Sequence, residues 1–401
     1  MDPALIILIC VVGTALFFDF TNGFHDTGNA VASSIATGAL KPKTAVALAA
    51  VMNLVGAFLS VAVALTVTNS VVRIQSDDGT PIPELSEKHG QALLMIVLCG
   101  LAGGILWNMF TWLLGLPSSS SHALFGGIIG ATMAGLNDGV KWVGDGSKID
   151  GVLGKIVMPA VLSPLIAGFI ATVGTFVVYK ILGSRLSDTR KGLRWGQISA
   201  ASLVSLAHGT NDAQKTMGVI TLALIAYGSW DHTDAIPLWV KVAAATAIAA
   251  GTYLGGWRII RTLSKGLVDI EAPQGMAADG SSAAVILASS HLGFALSTTQ
   301  VASGSILGSG VGRPGAHVRW SVAGRMVLAW LITLPAAGGV AALTWFIGHA
   351  VGGLGGALVV MALLIAGALA MYFRSKEEEV THHNVGEIWE GAPQVRRTKV
   401  S

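Results

Sequence analysis

Residues 24–31 read Phe-His-Asp-Thr-Gly-Asn-Ala-Val, a polar stretch inside the apolar run 4–37. Residues 210–217 read Thr-Asn-Asp-Ala-Gln-Lys-Thr-Met and interrupt the apolar run 196–229 in the same way. Each run is long enough to cross a bilayer, for which about 20 apolar residues suffice. Since an ionisable group within a membrane is costly, an aspartate at both places indicates a shared purpose. The pair predicts a membrane protein built from two related halves.

The composition also favours a membrane protein over a soluble one. The chain has 401 residues, of which 52% are hydrophobic and only 12% charged. A soluble domain carries roughly 25% charged residues. The runs 155–182, 237–257 and 326–373 are nearly free of charge, whereas turns divide the apolar runs of a soluble α/β enzyme. The 51 glycines are expected to let helix backbones approach closely.

The apolar runs predict the membrane segments, with breaks near 22–30 and 208–216. The runs 282–296 and 298–310 are too short to span and predict a re-entrant hairpin. The pair 91–115 and 119–136 is its expected counterpart, although 91–115 is long enough to cross. The other predicted segments are 4–37, 44–68, 155–182, 196–229, 237–257, 318–347 and 351–373.

Lysine and arginine positions predict the orientation, since cytoplasmic loops are enriched in both. The ranges 41–43, 180–194, 258–265 and 313–325 hold thirteen such residues, against six in the loops that alternate with them. The first set is therefore assigned to the cytoplasm. The N-terminus is then outside and the C-terminus is cytoplasmic.

The fold class that follows is all-α and polytopic, with two inverted-topology repeats, broken helices and re-entrant hairpins. The repeats are assigned to residues 1–182 and 196–347, because the first half starts outside and the second inside. In such repeats the substrate site usually lies at the bilayer midplane between discontinuous helices. The remaining divisions are a cytoplasmic basic loop at 183–195, an additional transmembrane helix at 348–373 and a charged cytoplasmic tail at 374–401.

A second polar break follows each aspartate by about 90 residues. The first reads Leu-Pro-Ser-Ser-Ser-Ser-His at 116–122, and the second reads Leu-Ser-Thr-Thr-Gln at 296–300. Each precedes an apolar helical run, and the N-terminus of a helix is an anion site. Hydroxyl groups add donors that suit a tetrahedral oxyanion. The alternative is ordinary helix capping or small-residue packing. The candidate anion ligands are Ser119, Ser120, Ser121, Ser297, Thr298 and Thr299.

The two aspartates and their neighbours are the candidates for ion coupling. Asp26 and Asp212 either bind a cation or only cap a broken helix end. Lys215 lies one turn after Asp212, where it either neutralises that carboxylate or offers a fixed positive charge to a polyanion. Gln214 is assigned with Lys215 to the substrate. His25 is the best proton-relay candidate, and Asn29 and Asn211 complete the coupling set.

At these motifs the chain resembles the inorganic phosphate transporter family, PiT, and its bacterial branch above all. The resemblance rests on residues 22–30, 115–122 and 207–215 and covers nearly the whole chain. It implies symport of phosphate with a cation, in the inner membrane of a bacterial cell. It also implies that phosphate lies between the two Ser/Thr-rich tips and the two aspartate-bearing breaks.

Three departures from the family pattern bear on the coupling ion. Gln300 stands where the second tip usually ends in His, and Gln cannot titrate. Lys215 stands where sodium-coupled members carry Asn, and Asn53 stands where they carry an acidic residue. A fixed ammonium and a lost carboxylate both disfavour bound Na⁺. The resemblance and its departures together predict proton coupling, with sodium coupling as the alternative.

The sequence therefore predicts a proton-coupled importer of inorganic phosphate, or of a neutral metal–phosphate complex, that works by alternating access. The rivals are a sulfate permease of the same family and an anion channel. Sulfate bears no proton at neutral pH and cannot donate to a carboxylate. No nucleophile–base motif, metal cluster or cofactor loop is evident, so an enzyme, a cofactor, a bound metal and nucleic acid are not expected. The expected partners are phosphate, the coupling cation and lipid, and a homodimer is left open.

Overall fold

The computed structural model describes residues 2–72, 83–136, 139–144, 149–182, 190–232 and 234–385. These residues form thirteen α-helices, a π-helical turn at Leu153–Val157 and a 3₁₀ turn at Lys376–Glu378. Within them β-structure is confined to two isolated bridges. Parts of the predicted basic loop (183–189) and of the predicted tail (386–401) lie outside the described residues.

The first half contains a long helix, a pair of short helices, a hairpin and a second long helix. Asp2 caps the first helix by accepting from the Ala4 amide at 3.0 Å. Its carboxylate also lies 3.0 Å from the His89 ring. Hydrogen bonds from His89 and Ala4 hold the pKa of Asp2 below its usual value. The helices are α1 Pro3–Ala36, α2 Pro42–Gly56, α3 Ala62–Ser70, α4 Pro83–Leu113, α5 Ser120–Gly135 and α6 Met158–Leu182.

The second half repeats this order of elements and adds one helix. Its helices are α7 Arg190–Tyr227, α8 Leu238–Leu254, α9 Trp257–Lys265, α10 Ala272–His291, α11 Thr298–Val311, α12 Trp320–Val351 and α13 Gly353–Ser375. The packing is reciprocal: α1 packs on α8 as α7 packs on α2, and α5 packs on α12 as α11 packs on α6. Within the described part, five helices are long and apolar enough to cross a membrane, or six if α8 and α9 count as one bent span.

The predicted breaks near 22–30 and 208–216 are wrong, because α1 and α7 are helical throughout. The glycines in these motifs serve close helix crossings instead. A Cβ on Gly23 would lie 2.3 Å from the Ile248 carbonyl oxygen, and one on Gly209 would lie 2.2 Å from that of Asn53. Polar side chains such as Thr27, which donates to the Gly23 carbonyl at 2.6 Å, are satisfied without unwinding the helix.

The breaks lie in the next elements along the chain. The predicted segment 44–68 is two helices, α2 and α3, separated by residues 57–61. In the other half α8 and α9 meet at 66°, at Gly255, whose φ is +74°. Gln214 of α7 supports the first break, because its Oε1 accepts from the amides of Val63 and Ala64 at 2.8 and 3.3 Å.

Two predicted boundaries also need correction. The first arm of the second hairpin begins at Ala272, ten residues before the predicted start at 282. A capping box between Glu271 and Gln274 starts the helix there, and the polar residues that obscured it in the sequence are buried against neighbouring helices. The predicted end of the second repeat at 347 falls inside α12, which continues to Val351.

The outer faces of α6, α12 and α13 are apolar and exposed. Phe169 is 70% exposed, Leu331 71% and Phe373 64%. Such surfaces suit hydrocarbon and not water. The polar residues of the two motifs lie at the opposite extreme, buried in the centre of the bundle.

Candidate functional site

The two hairpin tips have the same backbone geometry. Gly115 and Gly293 adopt φ of +64° and +71°, which permits the tight turn that ends each first arm. The amide that follows each glycine donates at 2.9 Å to the carbonyl five residues earlier, from Leu116 to Thr111 and from Phe294 to Ser289. Both tips therefore reverse the chain in the same way.

The second arms also begin alike. Ser119 has φ, ψ of −92°, 106° and its side chain accepts from the His122 amide, while Ser297 has −91°, 111° and accepts from the Gln300 amide. These two predicted anion ligands thus serve as helix N-caps. The hydroxyls placed for further contacts are those of the next residues, Ser120, Ser121, Thr298 and Thr299.

Asp26 of α1 lies among donors from both tips. Its Oδ1 accepts from Ser120 Oγ at 2.8 Å and lies 2.6 Å from His25 Nδ1. Its Oδ2 accepts from Thr299 Oγ1 at 3.3 Å and from Thr298 Oγ1 at 3.5 Å. The carboxylate is 1% exposed, so these contacts replace its hydration.

Asp212 of α7 has a different set of partners. Lys215 Nζ donates to its Oδ1 at 2.5 Å, and Thr298 Oγ1 donates to its Oδ2 at 3.0 Å. His208 Nε2 also lies 3.1 Å from Oδ2. Thr298 therefore faces both carboxylates, and the two aspartates predicted from the sequence share one buried site.

Lys215 connects α7 to both tips. Besides Asp212, its Nζ donates to Ser121 Oγ at 2.6 Å and to the Leu296 carbonyl at 3.0 Å. Three acceptors match the three protons of an ammonium group. The structure thus contains the salt bridge that was one interpretation of Lys215, and it places the charge beside the tips, as the other interpretation requires.

Three possible ligands for a cation lie close together at the two aspartates. One ligand atom from each of Asp26, His208 and Asp212 lies within 4.8 Å of the others. Two carboxylates and one ammonium leave one negative charge uncompensated when the imidazoles of His25 and His208 are neutral. An anion that enters this site therefore requires additional positive charge.

The other predicted residues have different surroundings in the structure, and not all of them lie at the site. Asn29 joins the site, since its Nδ2 donates to Thr299 Oγ1 at 3.0 Å. Asn211 instead donates to Ser290 Oγ on α10 at 2.8 Å. Gln214 contacts no carboxylate of the site, because its amide binds α3 and the Thr210 carbonyl. Its predicted role at the substrate is not supported by its position.

Sequence reasoning missed two buried acids. Asp19 is completely buried on α1, and neither carboxylate oxygen has a hydrogen-bond partner among the described residues. Asp279 on α10 is 4% exposed and is bonded by Ser33 and Gln197. For Asp19 the available signal was spacing, since it lies seven residues before Asp26, two turns away on the same face of α1. Ser33, which bonds Asp279, lies seven residues after Asp26 on that face.

Gln300, the predicted departure at the end of the second tip, faces its counterpart in the first. Its Nε2 lies 3.5 Å from Nδ1 of His122, and its buried Oε1 has no hydrogen-bond partner among the described residues. The two residues meet where the second arms of the hairpins approach each other. A neutral amide therefore stands beside one imidazole at this position.

A comparison with known proteins finds one matching family and several similar proteins. The profile of the phosphate transporter family matches residues 22–341. A Mycobacterium tuberculosis protein described as "Probable low-affinity inorganic phosphate transporter" is 57% identical over 394 residues, covering 98% of this chain and 89% of that protein. A Bacillus subtilis protein with the same description is 41% identical over 352 residues, covering 86% and 98%.

A solved structure has the same fold. It is described as "The sodium-dependent phosphate transporter", and it superposes with a TM-score of 0.70 at 20% sequence identity. The match covers 85% of this chain and 98% of that one. It supports the arrangement of helices described above.

Proposed function

Because this chain belongs to the phosphate transporter family, we propose that it imports inorganic phosphate into a bacterial cell by proton-coupled symport with alternating access. The observation that carries the proposal is the shared site, in which Thr298 of the second tip contacts both aspartates and Ser120 of the first tip donates to Asp26. The chain is a polytopic membrane protein with several apolar helices, and phosphate transport is the activity named for its relatives.

Phosphate would bind where the two second arms begin. The first amide groups of a helix have no partner within it, and they carry the positive end of the helix dipole. Here α5 and α11 begin beside each other, and Ser120, Ser121, Thr298 and Thr299 add four hydroxyls. These hydroxyls and Lys215 contact carboxylates or one another in the structure. They would turn to the anion when it enters.

The charge balance of the site favours co-transport of a cation. The site already carries an excess of one negative charge if its imidazoles are neutral, so phosphate cannot enter alone without strong repulsion. A proton on the Asp26–His25 pair, whose atoms are 2.6 Å apart, would remove that excess. Lys215 neutralises Asp212 permanently, which leaves Asp26 as the proposed proton carrier. A metal–phosphate complex would lower the transported charge further.

Sodium coupling is the second candidate, and the position between Asp26, His208 and Asp212 favours it. Two features argue for the proton instead. An ammonium already occupies one carboxylate, and an imidazole approaches each of them. Asn53 is a neutral amide and supplies no charge for a sodium ion. Its Nδ2 donates to Thr252 Oγ1, and its Oδ1 faces His208.

Alternating access would follow from the two-fold repetition of elements. The reciprocal packing of α1 on α8 and α7 on α2 supports related halves. An inverted orientation, with the N-terminus outside and the C-terminus in the cytoplasm, is part of the proposal. It predicts that the two ends of the bundle open in turn around a site that stays fixed.

The test is radiolabelled phosphate uptake into proteoliposomes with imposed gradients. Accumulation should require a pH gradient, inside alkaline, and should persist when Na⁺ is absent from both sides. Sulfate in excess should compete weakly, since it brings no proton to Asp26. Robust accumulation under a Na⁺ gradient, with equal pH on both sides and none without Na⁺, would assign the coupling to sodium. Counterflow uptake separates a carrier from a channel.

A further inference from the structure

A second buried polar cluster lies at one end of the bundle, outside the site already described. Asp279 of α10 is 4% exposed. Ser33 Oγ of α1 lies 2.6 Å from both of its oxygens. Gln197 Nε2 of α7 donates to its Oδ2 at 2.6 Å. Three helices, of which α1 and α7 also hold parts of the central site, therefore converge on one carboxyl group.

The cluster lies at the end that the charge pattern assigns to the cytoplasm. Ser33 is three residues before the end of α1, and Gln197 and Asp279 are each seven residues after the start of α7 and α10. Ser33 is also seven residues from Asp26, which is about 10 Å along a helix. The cluster thus lies between the central site and the proposed cytoplasmic exit.

Among the described residues, the hydrogen-bond partners of the Asp279 carboxyl are the uncharged side chains of Ser33 and Gln197. The charged groups nearby on the helices packed against it are engaged or exposed. Arg194 donates to the Ala39 carbonyl, and Glu271 is paired with Arg313 at 2.7 Å and accepts from Tyr179. Lys180 and Lys191 are exposed, and on α1 the nearest titratable groups are His25 and Asp26.

An ionised carboxylate in such neutral, buried surroundings is costly, whereas a protonated one is not. The contacts fit the protonated form. Ser33 carries one hydroxyl proton, yet its oxygen lies 2.6 Å from both oxygens of Asp279. If the carboxyl donates one of these contacts, both short distances are hydrogen bonds. Gln197 then donates to the other oxygen.

We propose that Asp279, Ser33 and Gln197 form a second proton-binding site, which latches α1, α7 and α10 together while the cytoplasmic side is closed. When the latch opens, water reaches Asp279 and its O–H bond breaks. The proton passes to cytoplasmic water, and the carboxylate keeps the electron pair. This inference rests on the proposed function for its role in transport, but not for the protonation itself.

Among the described residues, the repeat does not place the same cluster at the opposite end of the bundle. Asp26 and Asp212 are 186 residues apart in the sequence. At that separation Ser33 corresponds to Val219, and Gln197 corresponds to Val11. The capping serines Ser119 and Ser297 are 178 residues apart, and at that separation Asp279 corresponds to Leu101. All three are buried in the apolar core. In the described part of the chain, the Asp–Ser–Gln cluster is therefore found in one half of the repeat and not in the other.

Infrared difference spectroscopy of the purified protein in lipid nanodiscs tests the protonation without any transport. The parent at neutral pH should show a carbonyl stretch of a protonated carboxyl that is lost in Asp279→Asn. The same band should shift, and not disappear, in Ser33→Ala. Ser281→Ala is the matched control, because it removes another buried hydroxyl of α10, one that donates to the Ala167 carbonyl. Identical parent and Asp279→Asn spectra in this region at every pH would overturn the proposal.

Transport then tests the latch. Asn reproduces the hydrogen bonds of a protonated Asp but cannot release a proton, so Asp279→Asn should fold normally and favour the closed state. Phosphate uptake should fall about tenfold, as for a modest shift between two states, and should lose its acceleration by alkaline internal pH. Retention of the parental dependence on internal pH would also contradict the latch. If uptake proves sodium-driven while the band is present, only the proposed coupling fails. If uptake is proton-driven and the band is absent, only the latch fails.

Discussion

Asp26 in the first half meets His25 and Ser120, whereas Asp212 in the second half meets Lys215 and His208. The backbone around them differs little: both lie in unbroken helices, and both face a tip with the same turn and the same serine cap. The comparison teaches that repetition fixes where a carboxylate stands, while its neighbours decide its charge. One carboxylate has a permanent counter-ion and the other does not, so the two are suited to different tasks.

The largest expected difference between the halves is in coupling. Asp26→Asn should abolish uptake driven by a pH gradient while phosphate exchange persists, because exchange moves no net proton. Asp212→Asn should instead weaken phosphate binding by roughly tenfold or more, because it frees or misplaces Lys215. Radiolabelled uptake and exchange in proteoliposomes measure both. If the two variants behave alike, the division of tasks between the aspartates is wrong.

Removal of the counter-ion should be the most damaging change to stability. In Lys215→Met the buried Asp212 loses its ionic partner, which should lower the free energy of unfolding by about 3–5 kcal/mol. The double variant with Asp212→Asn should recover part of this loss, since no charge is then left unpaired. Thermal unfolding in detergent measures the effect. Lys180→Met, at an exposed lysine, is the control and should change little.

The two hairpin tips should contribute equally to the affinity for phosphate if they are equivalent in function as well as in backbone geometry. Ser120→Ala and Thr299→Ala each remove a donor worth about 1.5–3 kcal/mol to a charged partner, so affinity should fall roughly tenfold or more in each. Binding of labelled phosphate to the purified protein measures it. Thr132→Ala is a matched control on α5, because that hydroxyl donates to the Ile128 carbonyl of its own helix. If both variants bind phosphate as tightly as the parent, these hydroxyls have only a structural role.

The sequence predicted the membrane class, the paired motifs and most of the central site, because each depends on residue type at a repeated spacing. The breaks were misplaced for a physical reason. Glycine and polar residues at 22–30 weaken a helix in isolation, but here they permit close crossings, as Gly23 does against α8. Tertiary packing decides between the two outcomes, and one sequence without its partners does not contain that information.

The sequence did not reveal side-chain contacts between helices that are distant in sequence. Gln214 stands in a substrate motif, yet its amide binds the start of α3, some 150 residues earlier. Asp279 was passed over because a lone acid among small polar residues resembles a loop. Its partners on α1 and α7 are 246 and 82 residues away. Spacing within one motif does not reveal such contacts.

Gln214 therefore offers a smaller test of the difference between the motifs, since Gly28 stands at the matching position of α1. Gln214→Met should lower the free energy of unfolding by about 1–3 kcal/mol, because two buried amides of α3 lose their acceptor. Phosphate affinity should stay near that of the parent. A large loss of affinity at unchanged thermal stability would restore the substrate role predicted from the sequence.

The smallest expected effect sharpens the comparison most, because it concerns the backbone alone. Ser119 and Ser297 cap α5 and α11 with φ and ψ that agree within 5°. Replacing either by Ala should cost about 1 kcal/mol of stability, as for other N-caps, and the two costs should be equal. Neither substitution touches the charges that distinguish Asp26 from Asp212, so the coupling ratio of protons to phosphate should not change. Thermal unfolding and stoichiometry measured on the same proteoliposome preparations give both quantities. Unequal stability costs would mean that the tips differ in backbone support as well as in charge. A changed stoichiometry would mean that the caps themselves take part in ion coupling.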